Sequence, residues 1–404
     1  MNKKEKKNIW FLVGSKGISR IGNTIFDFAN NSFLANVRPN SLALVALYQS
    51  LECIIGVLFN LFGGVIADNF KRKKIIIITN FFSGILCVLL SFIYKEEWLI
   101  YAVVLANVIL AILDSFSSPT YKAFSKEIVY KDNISQLNSY LETSSTIIKV
   151  SVPIIAVSLY NKIGIQGVLL LDGISFLLAS LVILLINPIN QEIFSNKIVT
   201  FKGIFSDLKL GFRYIFNNKE IFIIIMLSAF VNFFLAPYNL LLPFSDQMFH
   251  NLGNGLYGKF LTVSAIGGLM GAILSGITNK KLSIYKLLFT LSFSGVALSL
   301  APYLFIAFKN SLILSLSPLL FNLFLSIFNI QFFSIVQRDV DNEYLGRVFG
   351  IIFSVALLFM PLGTGVFSIF LDSNNLFNFS YIGISVTVLS FFFLYLFDRF
   401  IMKN

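Results

Sequence analysis

Charged and polar residues recur at helical spacing inside long apolar stretches of this chain. Four share one face of the first stretch: Lys16, Arg20, Asn23 and Asp27. Four more do so further along: Asn138, Glu142, Ser145 and Lys149. A charged side chain at the centre of a bilayer costs roughly 2.5–3.5 kcal/mol, so such residues normally face a cavity or a partner. The spacing therefore predicts polar helix faces that line a pathway for a small molecule or for protons.

Asp27 is the candidate for proton coupling. It lies in the middle of its apolar stretch, and the nearest base there, Arg20, is two helical turns away. A carboxylate so placed can take up a proton from one side and release it to the other. The residues expected to line a substrate cavity are two acids, a base and two amides: Glu52, Glu142, Lys149, Asn232 and Asn329. The structural alternative is helix-to-helix hydrogen bonding, or an ion pair such as Glu142 with Lys149. Asp172, nearer the end of its stretch, is expected to be a structural anchor.

Composition places the chain in a membrane. Of its 404 residues 56% are hydrophobic and only 13% are charged, with a mean hydropathy of +0.82. Soluble proteins carry about 25% charged residues. Motifs of other classes are missing, since the sequence contains no GxxxxGK[ST], GxSxG or HExxH and only one histidine, His250. We therefore expect neither an enzyme nor a nucleotide-driven pump, and no cofactor.

Twelve apolar stretches are long enough to cross about 30 Å of hydrocarbon as helices. They span 9–35, 43–67, 74–94, 97–118, 134–160, 165–187, 220–247, 254–278, 284–308, 312–336, 345–371 and 377–400. The predicted fold is an all-α membrane protein with twelve transmembrane helices in two six-helix, pseudo-symmetric bundles, 1–187 and 220–404. Similar polar loops precede Pro153 and Pro361 in the two halves, which favours a duplication.

The break at 188–219 is predicted to be a cytoplasmic linker. Its apolar residues recur at helical spacing: Phe201, Ile204, Phe205, Leu208, Phe212 and Ile215. That pattern favours an amphipathic helix at the membrane interface, with a solvated linker as the alternative. The net charge of +11 comes from bases in short loops, most of which fall on one side if the N-terminus is cytoplasmic. The bases therefore predict a multi-pass cell-membrane protein with both termini in the cytoplasm, and they give no indication of nucleic-acid binding.

One loop carries a recognisable pattern. The stretch "GVIADNFKRKK", with Gly64, Asp68, Arg72 and Lys73, resembles the G-x-x-x-D-x-x-x-R-[RK] signature of the major facilitator superfamily. The resemblance implies a cytoplasmic gate formed by Gly64, Asp68 and Arg72, with Asp114 as a carboxylate that the arginine can bind. The alternative is a basic loop that sets the topology and has no gating role. Asn69 stands where the family usually has a base.

Longer stretches are similar to the macrolide-efflux and siderophore-export branch of that family. They are "ISRIGNTIFDFA", "SSPTYKAFSKEIV", "LDGISFLLAS", "LKLGFRYIFNNK" and "EYLGRVFGIIFSVALLFMPLG". The resemblance implies a monomeric exporter that moves an amphiphilic small molecule through the bilayer in exchange for protons. The excess of acids among the charges in the spans favours a cationic or neutral substrate. The alternatives are an uncoupled transporter of lipids or peptides, and a membrane protein that binds a ligand without moving it, as in immunity.

Overall fold

The computed structural model describes residues 2–37, 41–189, 210, 212–253, 255–277, 284–341 and 344–400, except for some side chains at 60–69, 131, 277, 345–347, 353, 357 and 400. The described part is helical, with no strand. The helices, which we number α1 to α14, are Lys3–Asn36, Leu42–Asn69, Arg72–Leu90, Glu96–Ile128, Ile134–Leu184, Lys219–Leu241, Ser245–Met248, Leu256–Ile277, Ile284–Ser299, Ala301–Phe308, Ser311–Leu314, Leu316–Asp339, Leu345–Phe370 and Asn378–Phe400.

Ten helical segments of the described chain are long and apolar enough to cross a membrane. Two further crossings follow from α1 and α5. Helix α1 has 34 residues, but its charges make it less apolar than the others. Helix α5 has 51 residues, about 76 Å, which is more than twice the hydrocarbon thickness. Gly164, at φ 65° and ψ −174°, breaks it into two crossings. The twelve-helix, all-α prediction is confirmed.

The first compact unit comprises 1–38 and 51–198. In it α1 packs along both parts of α5, and α3 packs against α4 and α5. The helices α3 and α5 approach closely at Gly84 and Gly173, where a methyl group on either glycine would lie 2.9 Å from the carbonyl oxygen of the other. These contacts fix which faces of α1, α4 and α5 turn towards one another.

The second compact unit comprises 39–50 and 199–404. Helix α6 packs against α13 and α14, α8 against α12, and α9 against α12 and α14. Gly295 on α9 meets Gly383 on α14 as closely as Gly84 meets Gly173. Each unit therefore has a glycine crossing between its third and its sixth membrane span, as two repeats of one plan would.

Part of the predicted interfacial helix lies outside the described residues. Phe201, Ile204, Phe205 and Leu208 fall there, whereas Phe212 and Ile215 lie on a helical stretch at 212–217. Ile215 packs in the core of the second unit, while Phe212 is exposed. The linker and the domain boundaries at 187 and 220 stay predictions.

Candidate functional site

The first unit contains a cavity of about 210 Å³ among α1, α2, α3 and α4, which we call the acidic cavity. Three carboxylates line it: Asp27 on α1, Glu52 on α2 and Asp114 on α4. Amides and hydroxyls supply most of the remaining polar lining, among them Asn23, Thr79, Asn80, Ser83, Asn107, Ser115 and Ser118. None of its described lining residues is a base. Helical periodicity explains the arrangement, since Asn23 and Asp27 are one turn apart on α1, and Asn107 and Asp114 are two turns apart on α4.

The three carboxylates are exposed to this space rather than packed between helices. Glu52 and Asp114 both act electrostatically on Asp27. Within the described residues, none of the three has a base within the 4 Å of an ion pair. No acids, cysteines or histidines in that part of the chain gather closely enough to hold a metal ion. The described lining of the cavity therefore carries three acids and no base.

Asp172 has a different environment and fits the anchor prediction. It is fully buried, and its carboxylate accepts hydrogen bonds from Ser175 Oγ at 3.4 Å and Cys87 Sγ at 3.7 Å. Gly22 on α1 lies directly against it, because a methyl group there would clash with the Asp172 and Ser175 side chains. Asp172 therefore joins the second part of α5 to α3 through Cys87, at a point where α1 packs closely against it.

A second cavity of about 240 Å³ lies among α1, α4 and α5, and we call it the basic cavity. Four bases and one acid line it: Lys16, Arg20, Lys122, Lys149 and Glu142. Glu142 and Lys149 thus line a different cavity from Asp27 and Glu52. They make no ion pair with each other. Sequence reasoning placed Lys16 and Arg20 on a polar helix face, but gave no indication that Lys122 of α4 would join them.

The two amides predicted for the second half are not among the residues that line these cavities. Asn232 on α6 is half-buried and donates to the carbonyl oxygen of Ser228 on its own helix at 2.9 Å. Asn329 on α12 has an exposed side chain. Sequence reasoning missed Tyr238, which is buried and joins Ser264 Oγ at 3.0 Å and Asn322 Nδ2 at 3.5 Å.

The gate residues are described only in part. Gly64 and Asp68 lie in the last turns of α2, but the Asp68 side chain is outside the described residues. Arg72 Nη1 is 3.0 Å from Glu127 Oε1 at the end of α4. Asp114, the carboxylate expected to bind Arg72, instead lies in the acidic cavity, 13 residues or about 20 Å before Glu127 along the same helix.

Other contacts at this end of the first unit were not foreseen. Glu5 is 1% exposed and accepts hydrogen bonds from the backbone of Tyr130 at 2.9 Å, the amide of Asn133 at 3.0 Å and the backbone of Asn2 at 3.0 Å. Lys73 Nζ donates to the carbonyl oxygens of Leu184 and Ile186. The N-terminus of α1, the start of α3 and the ends of α4 and α5 are therefore joined. In the sequence, the only indication of a role for Glu5 was that it is a single acid among the bases of the N-terminal segment.

Burial of the Glu5 side chain raises the pKa of its carboxyl. The hydrogen bonds from Tyr130, Asn133 and Asn2 act in the opposite direction and outweigh burial, because they favour the charged form. The pKa of Glu5 is therefore lowered from its ordinary value of 4.5. Glu5 is ionised at neutral pH and acts as a structural anion.

Comparison with known proteins extends these observations. The model of the family described as Major Facilitator Superfamily matches residues 12–364. Macrolide efflux protein A of Streptococcus pyogenes is 22% identical over 392 residues, 91% of each chain. The Enterococcus faecalis protein of that name is 23% identical over 315 residues, 74% of this chain and 92% of its own.

Solved structures share the fold. An inward-facing bacterial homologue of the iron transporter ferroportin aligns with a TM-score of 0.75 at 16% identity, covering 98% of this chain and 99% of that one. The nucleoside transporter NupG aligns with a TM-score of 0.72 at 16% identity, covering 98% and 100%.

Proposed function

Because the chain belongs to the Major Facilitator Superfamily and is a transporter of small molecules rather than an enzyme, we propose that it exports an amphiphilic cation in exchange for protons. Transport follows alternating access across the cell membrane, with both termini in the cytoplasm. The observation that carries the proposal is the acidic cavity, which brings Asp27, Glu52 and Asp114 together without a base in its described lining.

Charge explains why such a cavity suits exchange. Three carboxylates in a small space inside a bilayer repel one another, and the low dielectric strengthens that repulsion. Either protons or a cationic group on a substrate reduce the negative charge. If the two compete for the same carboxylates, binding of one releases the other, which is the thermodynamic requirement of an antiporter.

We assign proton coupling to Asp27. It lines the acidic cavity together with Glu52 and Asp114, so binding of a cation at those acids and protonation of Asp27 can influence each other. Glu52 then contributes mainly to substrate binding. Asn23, Asn80 and Asn107 can orient a substrate by hydrogen bonding, since amides both donate and accept.

The substrate class is inferred from the relatives. The two related proteins are named for macrolide efflux. A macrolide that carries an amine sugar is a large amphiphile with one positive charge, and therefore matches the acidic cavity in sign. We propose such amphiphilic amines as the first compounds to test.

The gate of this exporter is proposed to include Gly64, Asp68 and Arg72, with Glu127 in the place expected for Asp114. The buried pair of Arg72 and Glu127 fixes the guanidinium at the start of α3. Arg72, held in place by Glu127, lies close to Asp68 along the chain. This supports a role of the loop in switching between the states of the transport cycle. Asn232 and Asn329 are proposed to bind substrate from the second half.

The test measures efflux of a fluorescent lipophilic amine and of a macrolide amine from cells that lack their own exporters. We expect the full-length protein to lower accumulation of both, and an uncoupler to abolish that effect. Asp27→Asn should lose uncoupler-sensitive efflux, while the matched control Glu97→Gln, at an exposed acid at the start of α4, should keep it.

Two results would overturn the assignment. Efflux that survives the uncoupler points to an uncoupled transporter. Asp27→Asn with wild-type efflux and an unchanged pH dependence excludes Asp27 as the coupling group.

A further inference from the structure

The basic cavity is an unusual feature for an exporter of cations. Its five charged residues come from three helices: Lys16 and Arg20 from α1, Lys122 from α4, and Glu142 and Lys149 from α5. Lys16, Arg20, Glu142 and Lys149 lie within predicted spans, so the positive-inside rule alone does not account for them, whereas Lys122 lies four residues beyond the span 97–118. The cavity, not the surface, is the place where these charges meet.

The charges of the basic cavity do not cancel. Four bases face one acid, and in the described part of the chain none of the five is in an ion pair. Arg20 and Lys122 repel the charge of Lys16, while Glu142 and Asp114 attract it. Like charges that line one cavity repel one another, and an anion that enters relieves the repulsion. Serine hydroxyls beside the bases, such as that of Ser118, can donate further hydrogen bonds to an anion.

The acidic and basic cavities are adjacent, because Ser118 lines both. Lys16 and Arg20 also act electrostatically on Asp114 of the acidic cavity. Along α1, Lys16 and Asp27 are 11 residues apart, which corresponds to about 16 Å. Along α4, Asp114 and Lys122 are eight residues apart, about 12 Å. The first unit therefore presents separated negative and positive sites over the length of a small amphiphile.

We infer that the basic cavity binds an anionic group, a carboxylate or a phosphate, on the transported molecule. This rests on the proposed export function and narrows its substrate from an amphiphilic cation to an amphiphile that carries an anionic group as well. The substrate is then a zwitterionic amphiphile, with its cationic group at the acidic cavity and its anionic group at Lys16, Arg20, Lys122 and Lys149. Arg20 supplies a planar fork for two oxygens, and the lysines add point charges. Glu142 competes with the anion for the same bases.

The inference is tested by equilibrium binding to the purified full-length protein in phosphatidylcholine nanodiscs. The probes are N-octanoylglycine, octyl phosphate and the uncharged methyl ester of N-octanoylglycine, measured by titration calorimetry. We expect both anions to bind and the ester to bind weakly or not at all. Arg20→Gln and Lys149→Gln should each weaken binding of the anions by roughly tenfold, the effect of losing one charge-assisted contact.

Glu142→Gln is the sharper variant, because removing the competing acid should tighten anion binding by roughly threefold to tenfold. A damaged fold cannot produce tighter binding. Lys162→Gln serves as the matched control, since Lys162 is an exposed lysine of α5 outside the basic cavity. We expect it to leave the affinity for both anions unchanged.

Several results would overturn the inference. They are equal binding of acid and ester, absence of anion binding, or weaker binding in Glu142→Gln. The same measurement is repeated in nanodiscs that contain phosphatidylglycerol, an anionic lipid. If this lipid displaces both anions, the basic cavity binds a lipid headgroup and not the transported molecule. The measurement needs no proton gradient, so it can fail while proton-coupled efflux holds, and it can succeed if Asp27 proves not to be the coupling group.

Discussion

Arg72 Nη1 donates to Glu127 Oε1 at 3.0 Å, and both side chains are largely withdrawn from solvent, with 9% and 12% exposed. The pair joins the first residue of α3 to the last turn of α4. A buried charge that loses its partner is far more costly than an exposed one. The contribution of this contact to the stability of the fold can therefore be measured independently of transport.

Arg72→Gln should destabilise the protein by about 3–5 kcal/mol, the typical cost of removing one partner of a buried ion pair, because Glu127 loses its 3.0 Å contact with the guanidinium. Thermal unfolding of the purified protein measures this as a fall in apparent Tm. The matched control is Asp339→Asn in the second half, where Arg338 and Asp339 form an exposed pair, 48% and 30% exposed. That variant should change stability by less than about 1 kcal/mol. The charge-swapped double variant Arg72→Glu with Glu127→Arg should recover part of the lost stability. Equal falls in Tm for Arg72→Gln and Asp339→Asn would contradict the stabilising role of the pair of Arg72 and Glu127.

The stabilisation by Glu5 should depend on pH. Its pKa is lowered in the folded protein, so the charged form contributes stability above the ordinary value of 4.5, and that contribution is lost as pH falls through the folded pKa. Glu5→Gln should therefore lower the apparent Tm at pH 7, and the difference from wild type should shrink as pH falls below 4.5. A difference in Tm that stays constant from pH 7 into that acidic range would show that Glu5 does not act through its charge.

The glycine crossings should tolerate no side chain. In Gly84→Ala the new methyl group would lie 2.7 Å from Leu177 Cγ and 2.9 Å from the carbonyl oxygen of Gly173. We expect a loss of about 1–3 kcal/mol, because α3 and α5 must separate. Gly350→Ala is the control, since its surroundings are open and alanine favours a helix by about 0.5–1 kcal/mol. Thermal unfolding compares the two, and an equal response would argue against close packing at Gly84.

The proposed gate predicts a kinetic effect. Asp68→Asn should reduce the rate of transport much more than it weakens substrate binding, because a gate residue acts on the change between states and does not contact the substrate. Initial efflux rates and equilibrium binding of the same amine, measured on one preparation, separate the two. Asp132→Asn, at an exposed acid between α4 and α5, is the control. An equal loss of rate and affinity in Asp68→Asn would exclude the gating role.

Sequence and structure agree most closely where the bilayer imposes the constraint. A span needs about 20 apolar residues and an internally bonded backbone, so hydropathy along the chain suffices to predict twelve helices. Helical periodicity likewise predicted that Lys16, Arg20, Asn23 and Asp27 share a face. The loop pattern from Gly64 to Lys73 indicated the family, because its residue types and spacing lie within one short segment.

Only the tertiary structure decided which of these faces meet. Asp27 and Glu52 share one cavity, whereas Glu142 and Lys149 belong to another, with Lys122. Arg72 binds Glu127 and not Asp114. Glu5 became a buried anchor through contacts with residues more than a hundred positions away. Spacing within one helix fixes the direction of a side chain about that helix. Which residues that side chain contacts depends on how the neighbouring helices are rotated and how far they are shifted along their axes. Close contacts such as that of Gly84 with Gly173 determine both.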